Sequence, residues 1–216
     1  MPSRSRSPHD ARKIAQRLAA AYPDAGCSLD FKTPLQLLVA TILSAQCTDV
    51  RVNQVTPALF RKYRTAKDFA LAMLPVLERS IQSTGFFRAK AKSIQGACQL
   101  LVQQHGGDVP KDLEQLVKLP GVGRKTANVV LGTAFGVAAG VVVDTHVTRV
   151  SRRLGLTTAK DAGRIEQDLM AQFDEKDWIK LSHEMIYHGR ACCTARRPKC
   201  EQCPLNSLCP RIGVES

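Results

Sequence analysis

Apolar residues recur every three or four positions along most of the 216-residue chain. This spacing predicts amphipathic α-helices, because side chains three and four residues apart share one helix face. The segments with this pattern are 11–22, 34–46, 50–63, 89–105, 111–119, 124–135, 145–156, 164–173 and 178–188. Gly106 and Gly189 follow two of them and are predicted to end their helices, since glycine readily adopts positive φ.

One β-branched run, "GVVVD" at 140–144, interrupts the helical pattern. It is short and isolated, so we interpret it as an extended connector and not as part of a sheet. The predicted fold class is therefore all-α. The glycine-rich segment 132–143 is the predicted link between two halves of the chain.

The net charge of the chain indicates which class of partner it binds. A net charge of +12 and a pI near 9.6 favour a polyanion. The longest apolar run, 132–143, is shorter than the about 20 residues of a membrane-spanning helix. The N-terminus lacks the apolar core of a secretion signal and is predicted to be a flexible basic arm. We therefore expect a cytoplasmic or nucleoid-associated protein that meets nucleic acid.

A tight turn joins two of the predicted helices in "KDLEQLVKLPGVGRKTANVV", residues 111–130. Alone, its Pro-Gly-x-Gly motif is typical of a simple helix–helix turn. In so basic a chain, however, the backbone N–H groups of the turn and of the next helix suit a phosphate. Gly121, Val122, Gly123 and Arg124 are therefore candidate DNA contacts in a helix-hairpin-helix.

Lys125 lies at the start of the second helix of this hairpin. An ammonium group is poorly placed there, because the helix dipole disfavours cations at an N-terminus. Lys125 is either a second phosphate contact or a nucleophile that uses its free amine. The position suits the second role.

Asp144 precedes the apolar-periodic segment 145–156 in "VVVDTHVTRV" and is predicted to cap a helix N-terminus. The same carboxylate can also act as a fixed anion that stabilises a developing cation, such as a sugar losing its base. His146 is interpreted as an orienting or DNA-contacting group and not as a proton shuttle.

Five of the eight cysteines crowd into residues 192–209, whereas Cys27, Cys47 and Cys98 are scattered and predicted to pack as small apolar residues. Cys193, Cys200, Cys203 and Cys209 have the spacing x6-x2-x5, which suits either zinc or an iron–sulfur cluster. Cys192 is interpreted as a bystander. The loop after Cys193 carries Arg196, Arg197 and Lys199 as candidate phosphate contacts.

The hairpin with its lysine, the "VDTH" aspartate and the cysteine spacing, in this order, resemble the endonuclease III family of DNA glycosylases. The resemblance covers roughly residues 27–209 and includes the early segment "LLVATILSAQCTDVRVN". It implies a helix-hairpin-helix glycosylase fold with an active site in a cleft between two domains. The implied boundaries are 1–27 for a basic tail and a helix that packs on the cluster domain, 28–137 for a six-helix barrel, and 138–216 for a helical domain with a [4Fe-4S] cluster.

The resemblance also implies a reaction. Such an enzyme excises oxidised pyrimidines such as thymine glycol from duplex DNA and then cleaves the abasic site by β-elimination. Lys125 would form a Schiff base at C1′, and Asp144 would assist departure of the base. Gln46 matches the residue that enters the gap left by the flipped nucleotide, and Phe86 matches the wedge against the opposite strand. A monomer is expected, because one chain supplies the whole site.

Two alternatives remain at this point. A monofunctional adenine glycosylase of the same superfamily should lack Lys125. A non-catalytic DNA-binding module with structural zinc leaves Lys125 and Asp144 together unexplained. Phe86, Thr148 and Cys47 depart from the usual family pattern, and the Phe86 departure bears on the preference for the opposite base.

Overall fold

The computed structural model describes residues 8–214, and these contain α-helices and short 3-10 turns but no β-strand. The all-α prediction is confirmed. The basic arm predicted at the N-terminus begins in residues 1–7, which lie outside the described residues. Within residues 8–214, every helix is too short or too polar to cross a bilayer.

The chain forms two compact units. We call residues 27–139 the hairpin unit. The cysteine unit combines the chain up to Gly26 with the chain from Gly140 onward. The division falls inside the glycine-rich segment 132–143.

Seven helices form the hairpin unit, and its centre is α2. Thr33 caps α2 by accepting the N–H of Gln36, and Pro34 occupies the first turn, where its missing N–H costs nothing. Seven consecutive residues, 37–43, are buried, which accounts for an apolar pattern wider than a single stripe. The helices are α2 (Pro34–Ser44), α3 (Asp49–Lys62), α4 (Ala66–Ala70), α5 (Leu74–Ile81), α6 (Phe87–His105), α7 (Leu113–Leu116) and α8 (Arg124–Phe135).

The periodicity did not reveal α4 and α5, because both are too short to repeat it. Local signals mark them nevertheless. Thr65 and Asp68 form a reciprocal capping box at the start of α4, and α5 has a proline in its first turn. Both helices pack against α6, which also contacts α2.

Four helices form the cysteine unit: α1 (Pro8–Ala21), α9 (Thr145–Arg153), α10 (Ala162–Met170) and α11 (Trp178–Ala191). Helix α11 packs against both α9 and α1, and Met185 is fully buried among them. The predicted connector at 140–144 is neither helix nor strand, as expected. Its Val141, Val142 and Val143 are buried, and the N–H of Val142 donates to Ser182 Oγ at 2.9 Å.

The two glycines predicted to end helices behave differently. Gly106 directly follows α6 and has φ of +61°, so it ends this helix as predicted. The prediction for Gly189 is wrong, because this residue lies inside α11. A Cβ there would stand 2.8 Å from the Cβ of His146, so Gly189 allows α9 and α11 to approach closely.

Candidate active site and metal centre

The turn between α7 and α8 requires glycine at one of its two glycine positions. Gly121 has φ of +77°, and a Cβ there would lie 2.6 Å from the Cβ of Ser93. Gly123 has φ of −86°, and a Cβ there would meet no protein atom within 4 Å. Val122 is buried and donates its N–H to the carbonyl of Leu119 at 3.1 Å, so its amide is engaged inside the turn.

Helix α8 begins without a side-chain cap. Its N-cap residue is Gly123, which has no side chain to accept the first N–H groups of the helix. Arg124 and Lys125, the first two residues of α8, are exposed. The first turn of α8 thus has no side-chain cap at the positive end of its helix dipole.

Asp144 caps α9, which confirms the structural part of its predicted role. Its Oδ1 accepts the N–H of His146 and the N–H of Val147, each at 2.8 Å. The side chain is only half-buried. Its carboxylate is thus fixed by the backbone and still partly accessible.

His146 is held by its neighbours in the cysteine unit. Its Nδ1 lies 3.1 Å from Nη2 of Arg149, and arginine can only donate, so Nδ1 is the acceptor of this bond. Arg149 also donates to the carbonyls of Gly189 and Cys193. His146 is therefore oriented by α9 and α11.

Gln46 and Phe86 share an unusual backbone conformation. Both have left-handed φ, +51° and +47°, and both are exposed. Phe86 exposes 67% of its surface and is therefore not a core residue. A large apolar side chain held in solvent on a strained backbone is a feature of binding surfaces.

The four predicted ligands Cys193, Cys200, Cys203 and Cys209 line one cavity in the cysteine unit. Cys192 lines it too, and its sulfur lies 3.6 Å from the carbonyl of Lys199. All eight cysteines of the chain are free thiols. Cys98 is buried, as predicted, whereas Cys27 and Cys47 are only half-buried.

Donors point at the sulfurs of this cavity. The N–H groups of Leu205 and Arg211 lie 3.4 Å from the sulfurs of Cys203 and Cys209, and Arg153 Nη1 lies 3.3 Å from that of Cys193. Hydrogen bonds of this kind stabilise thiolates and tune the potential of an iron–sulfur cluster.

Burial makes these thiols reluctant to ionise on their own. It raises the pKa of Cys203 to about 12 and also raises the pKa of Cys209. Bound iron supplies the positive charge that favours the thiolate form, so the half-buried set of four cysteines with its N–H donors fits a cluster. His188, Cys192 and Cys203 also place their ligand atoms within 4.8 Å of one another, a closer set that suits a single ion.

The basic residues predicted after Cys193 are on the surface. Arg196, Arg197 and Lys199 are all exposed. The loop that carries them is closed by Thr194, whose hydroxyl donates to the carbonyl of Arg197 at 2.7 Å, and by Lys199, whose N–H donates to the carbonyl of Cys192. Their charges are thus presented by an ordered loop.

Sequence reasoning missed two buried cations, Lys90 and Arg153. Each stands on the apolar face of its helix: Lys90 precedes Ile94 by four residues, and Arg153 follows Val150 by three. A charged residue in register with a buried stripe was the available signal.

Comparison with known proteins gives two family matches. A family described as "HhH-GPD superfamily base excision DNA repair protein" matches residues 39–175. A second, described as the iron–sulfur binding domain of endonuclease III, matches residues 193–209. The second match begins after Cys192 and contains the four predicted ligands.

Individual relatives cover nearly the whole chain. Endonuclease III of Synechocystis sp. is 58% identical over 200 residues, which are 93% of this chain and 91% of the relative. Endonuclease III of Escherichia coli K12 is 39% identical over 197 residues, 91% and 93% of the two chains. A solved structure described as a trapped endonuclease III–DNA covalent intermediate has a TM-score of 0.90 and 45% identity, and the match covers 95% of this chain and 97% of that one.

Proposed function

The chain belongs to the endonuclease III family of HhH-GPD base excision DNA repair proteins, and on this premise we propose that its substrates are oxidised pyrimidines in duplex DNA, thymine glycol among them. It is a DNA glycosylase and AP lyase that binds DNA and carries a [4Fe-4S] cluster. The observation that carries the proposal is the exposed Lys125 at the uncapped start of α8, next to the hairpin turn. Because the chain is an enzyme with an iron–sulfur cluster, the alternative of a non-catalytic DNA-binding module with zinc no longer applies.

The proposed nucleophile is Lys125. Its amine attacks C1′ of the damaged nucleotide, and the base leaves with the electron pair of the glycosidic bond. The C1′–O4′ bond of the sugar then breaks, O4′ takes up the proton lost by the amine, and the resulting Schiff base allows β-elimination of the 3′ phosphate. A covalent link to DNA is part of the description of the similar solved structure, and an amine nucleophile accounts for such a link. The presence of Lys125 also counts against a monofunctional adenine glycosylase.

The proposed role of Asp144 is electrostatic. Its Oδ1 is occupied by two backbone N–H groups, and the carboxylate is therefore fixed in place. A fixed anion stabilises the positive charge that develops on the sugar as the base departs. The alternative role, helping to deprotonate the amine of Lys125, requires the carboxylate as a base instead.

The remaining predicted site residues are proposed to hold and distort DNA. Gln46 fills the gap left by the flipped nucleotide, and Phe86 wedges against the opposite strand. His146 orients the site or contacts DNA. The proposed phosphate contacts are Gly121, Gly123, Arg124, Arg196, Arg197 and Lys199. Because the N–H of Val122 is bonded to Leu119, Val122 contributes by shaping the turn.

The cluster is proposed to be held by Cys193, Cys200, Cys203 and Cys209, all within the matched iron–sulfur segment. When bound, it supplies the positive charge that keeps the four thiolates together. The protein groups around it brace the loop that carries Arg196, Arg197 and Lys199. We propose a monomer that acts on the bacterial nucleoid in the cytoplasm. A sedimentation mass other than that of one 23.6 kDa chain would contradict the monomer.

Borohydride trapping on duplex DNA with one thymine glycol tests the proposal. We expect a covalent adduct with the parent protein and none with Lys125→Ala, because only a Schiff base is reduced to a stable link. Lys118→Ala removes another exposed lysine of the hairpin and should still give the adduct. An adduct on abasic DNA but not on thymine glycol would overturn the lesion class and keep the lyase. No adduct on either substrate would overturn the lysine mechanism.

Asp144→Asn separates the two functions of the aspartate. Asparagine caps helices about as well as aspartate, so the thermal stability should change little. The rate of base release should fall roughly 100-fold or more, as for loss of one preorganised electrostatic group. Normal base release by the folded variant would contradict the proposed role.

A further inference from the structure

Lys90 buries its ammonium group inside the hairpin unit. The residue exposes only 5% of its surface, whereas lysine normally keeps its charge in water. The burial lowers the pKa of Lys90. Its Nζ donates to the carbonyls of Leu43 and Thr84, each at 2.8 Å. A buried cation that makes two such bonds is a specific structural element and not a solvent-facing charge.

The two acceptors lie at the ends of two helical segments. Leu43 is the next-to-last residue of α2, and the turn beyond it uses the carbonyls of Ile42 and Ser44 for its backbone bonds. Thr84 is the last residue of the 3-10 turn Gln82–Thr84. Carbonyls at helix ends lack an intrahelical partner, and a cation is favoured there. The single ammonium group of Lys90 therefore binds the carbonyl end of both segments.

Each segment leads directly into one of the two left-handed residues. Gln46 is three residues beyond Leu43, and Phe86 is two residues beyond Thr84. A non-glycine residue in this conformation costs on the order of 1 kcal/mol and persists only where the surroundings hold it. The ammonium group of Lys90 thus links the two backbone segments that lead into the exposed side chains of Gln46 and Phe86.

We propose that Lys90 is a positioning residue for duplex DNA: through the carbonyls of Leu43 and Thr84 it fixes the placement of Gln46 relative to Phe86. This inference rests on the proposed roles of Gln46 and Phe86. A gap-filling side chain and a wedge must enter the duplex together, so their relative placement matters as much as their identity. A misplacement of about 1 Å can cost on the order of 100-fold in rate.

The test compares two substrates that differ in their need for these side chains. Base excision from duplex thymine glycol DNA requires a nucleotide to be flipped and the gap to be filled. Cleavage of a single-stranded abasic oligonucleotide requires Lys125 but no duplex distortion. Both rates are measured in single-turnover reactions with the holoenzyme, whose visible absorption confirms the cluster.

Lys90→Met keeps the length and apolar stem of the side chain and removes its donors. We expect the duplex rate to fall at least roughly tenfold and the single-stranded rate to change less than about threefold. Lys92→Met, the same substitution at an exposed position of α6, should leave the ratio of the two rates unchanged. Lys90→Arg restores a cation with donors and should recover part of the duplex rate.

Other outcomes overturn the inference. Equal losses on both substrates would mean that Lys90 only supports the fold, and no loss on either would mean that the two bonds do not matter for DNA. If Lys90→Met does not fold, Lys90→Arg alone decides, because its longer reach must shift the duplex-to-single-strand ratio. Gln46→Ala and Phe86→Ala serve as references. If they lack a duplex-specific defect, the proposed roles of these two residues fail, independently of the trapping result for Lys125.

Discussion

The two units of this protein bury different kinds of residues. The hairpin unit has a core of 27 buried apolar residues, and within 27–139 Lys90 is the one buried residue with a charged side chain. The core cluster of the cysteine unit has 15 buried apolar residues, and that unit also buries Arg153, Glu166, Glu184 and His188. Burying a charge costs free energy unless it is paired or hydrogen-bonded. The cysteine unit therefore depends more on specific polar bonds and on its cofactor.

The segment 192–214 makes this dependence plain. Only Cys192 and Leu205 are buried there. Besides short backbone turns, arginines from other elements hold its backbone: Arg153 donates to the carbonyls of Thr194 and Ala195, and Arg17 donates to the carbonyl of Pro204. So few apolar contacts cannot offset the entropy of ordering more than twenty residues. We expect the cluster and these bonds to supply the difference.

The largest expected effect comes from loss of the cluster. In Cys200→Ser we expect the visible absorption of the iron–sulfur chromophore to disappear. Amides of 192–214 should exchange about 100-fold faster or more, equivalent to roughly 3 kcal/mol of local stability. Amides of α2 and α6 should keep their protection, because the core of the hairpin unit contains no cluster ligand. Hydrogen exchange followed by mass spectrometry measures both regions in one sample.

Two further cysteine variants serve as controls for this prediction. Cys98→Ser makes the same change in the core of the hairpin unit and should leave the absorption intact. Cys192→Ser tests the interpretation of Cys192 as a bystander and should also retain the chromophore. Equal loss of protection in both units of Cys200→Ser would remove the distinction between them.

A smaller effect is expected from Arg153, which is only 8% exposed. Its guanidinium makes bonds of 2.7 and 2.8 Å to two carbonyls. Arg153→Met should lower the free energy of unfolding of the cysteine unit by roughly 3 kcal/mol, because two part-buried carbonyls lose a charged donor. Urea unfolding followed by the visible absorption reports this change. Arg152→Met, at the exposed neighbouring position, should shift it by less than about 0.5 kcal/mol.

The difference between local and distant partners explains which features could be predicted from sequence. Asp144 and the start of α8 follow from local rules, since a cap and a helix dipole involve only neighbouring residues. Gly121 is predicted as part of the tight turn of the hairpin, but its close approach to Ser93 depends on how α6 packs. Local signals identify helix ends well where the residue is required by its neighbours in sequence.

Features that depend on distant partners were not predictable. Gly189 looked like a helix end because its real requirement, the proximity of His146, lies 43 positions away in sequence. The partners of Lys90 and Arg153 are backbone carbonyls, which every residue carries, so no side chain in the sequence identifies them. Phe86 was identified only through the family resemblance, because an exposed phenylalanine is indistinguishable from a core residue by pattern.

The smallest expected effect concerns Glu184, which is buried in the cysteine unit. Among the residues that the structure describes, its Oε1 has no hydrogen-bond partner, and Lys180 Nζ lies 3.9 Å away, too far for a hydrogen bond. Burial raises the pKa of Glu184 above its ordinary value of 4.5, although Lys180 opposes the shift. The folded state therefore binds the proton more tightly than the unfolded state, and the stability from this group is full below pH 4.5 and is lost as the pH rises through the raised pKa.

Glu184→Gln removes the charge and keeps the shape, so it should not lose this stability as the pH rises. We expect the variant to be more stable than the parent by about 1 kcal/mol at neutral pH, with the difference vanishing toward pH 4. Glu175→Gln, at an exposed position, should show no such pH-dependent gap. Thermal unfolding across this pH range measures the gap. A variant less stable than the parent at neutral pH would mean that the carboxylate of Glu184 is favourably paired. In that case the buried charge of the cysteine unit would not destabilise the fold, and neither its polar bonds nor its cluster would be needed to offset it.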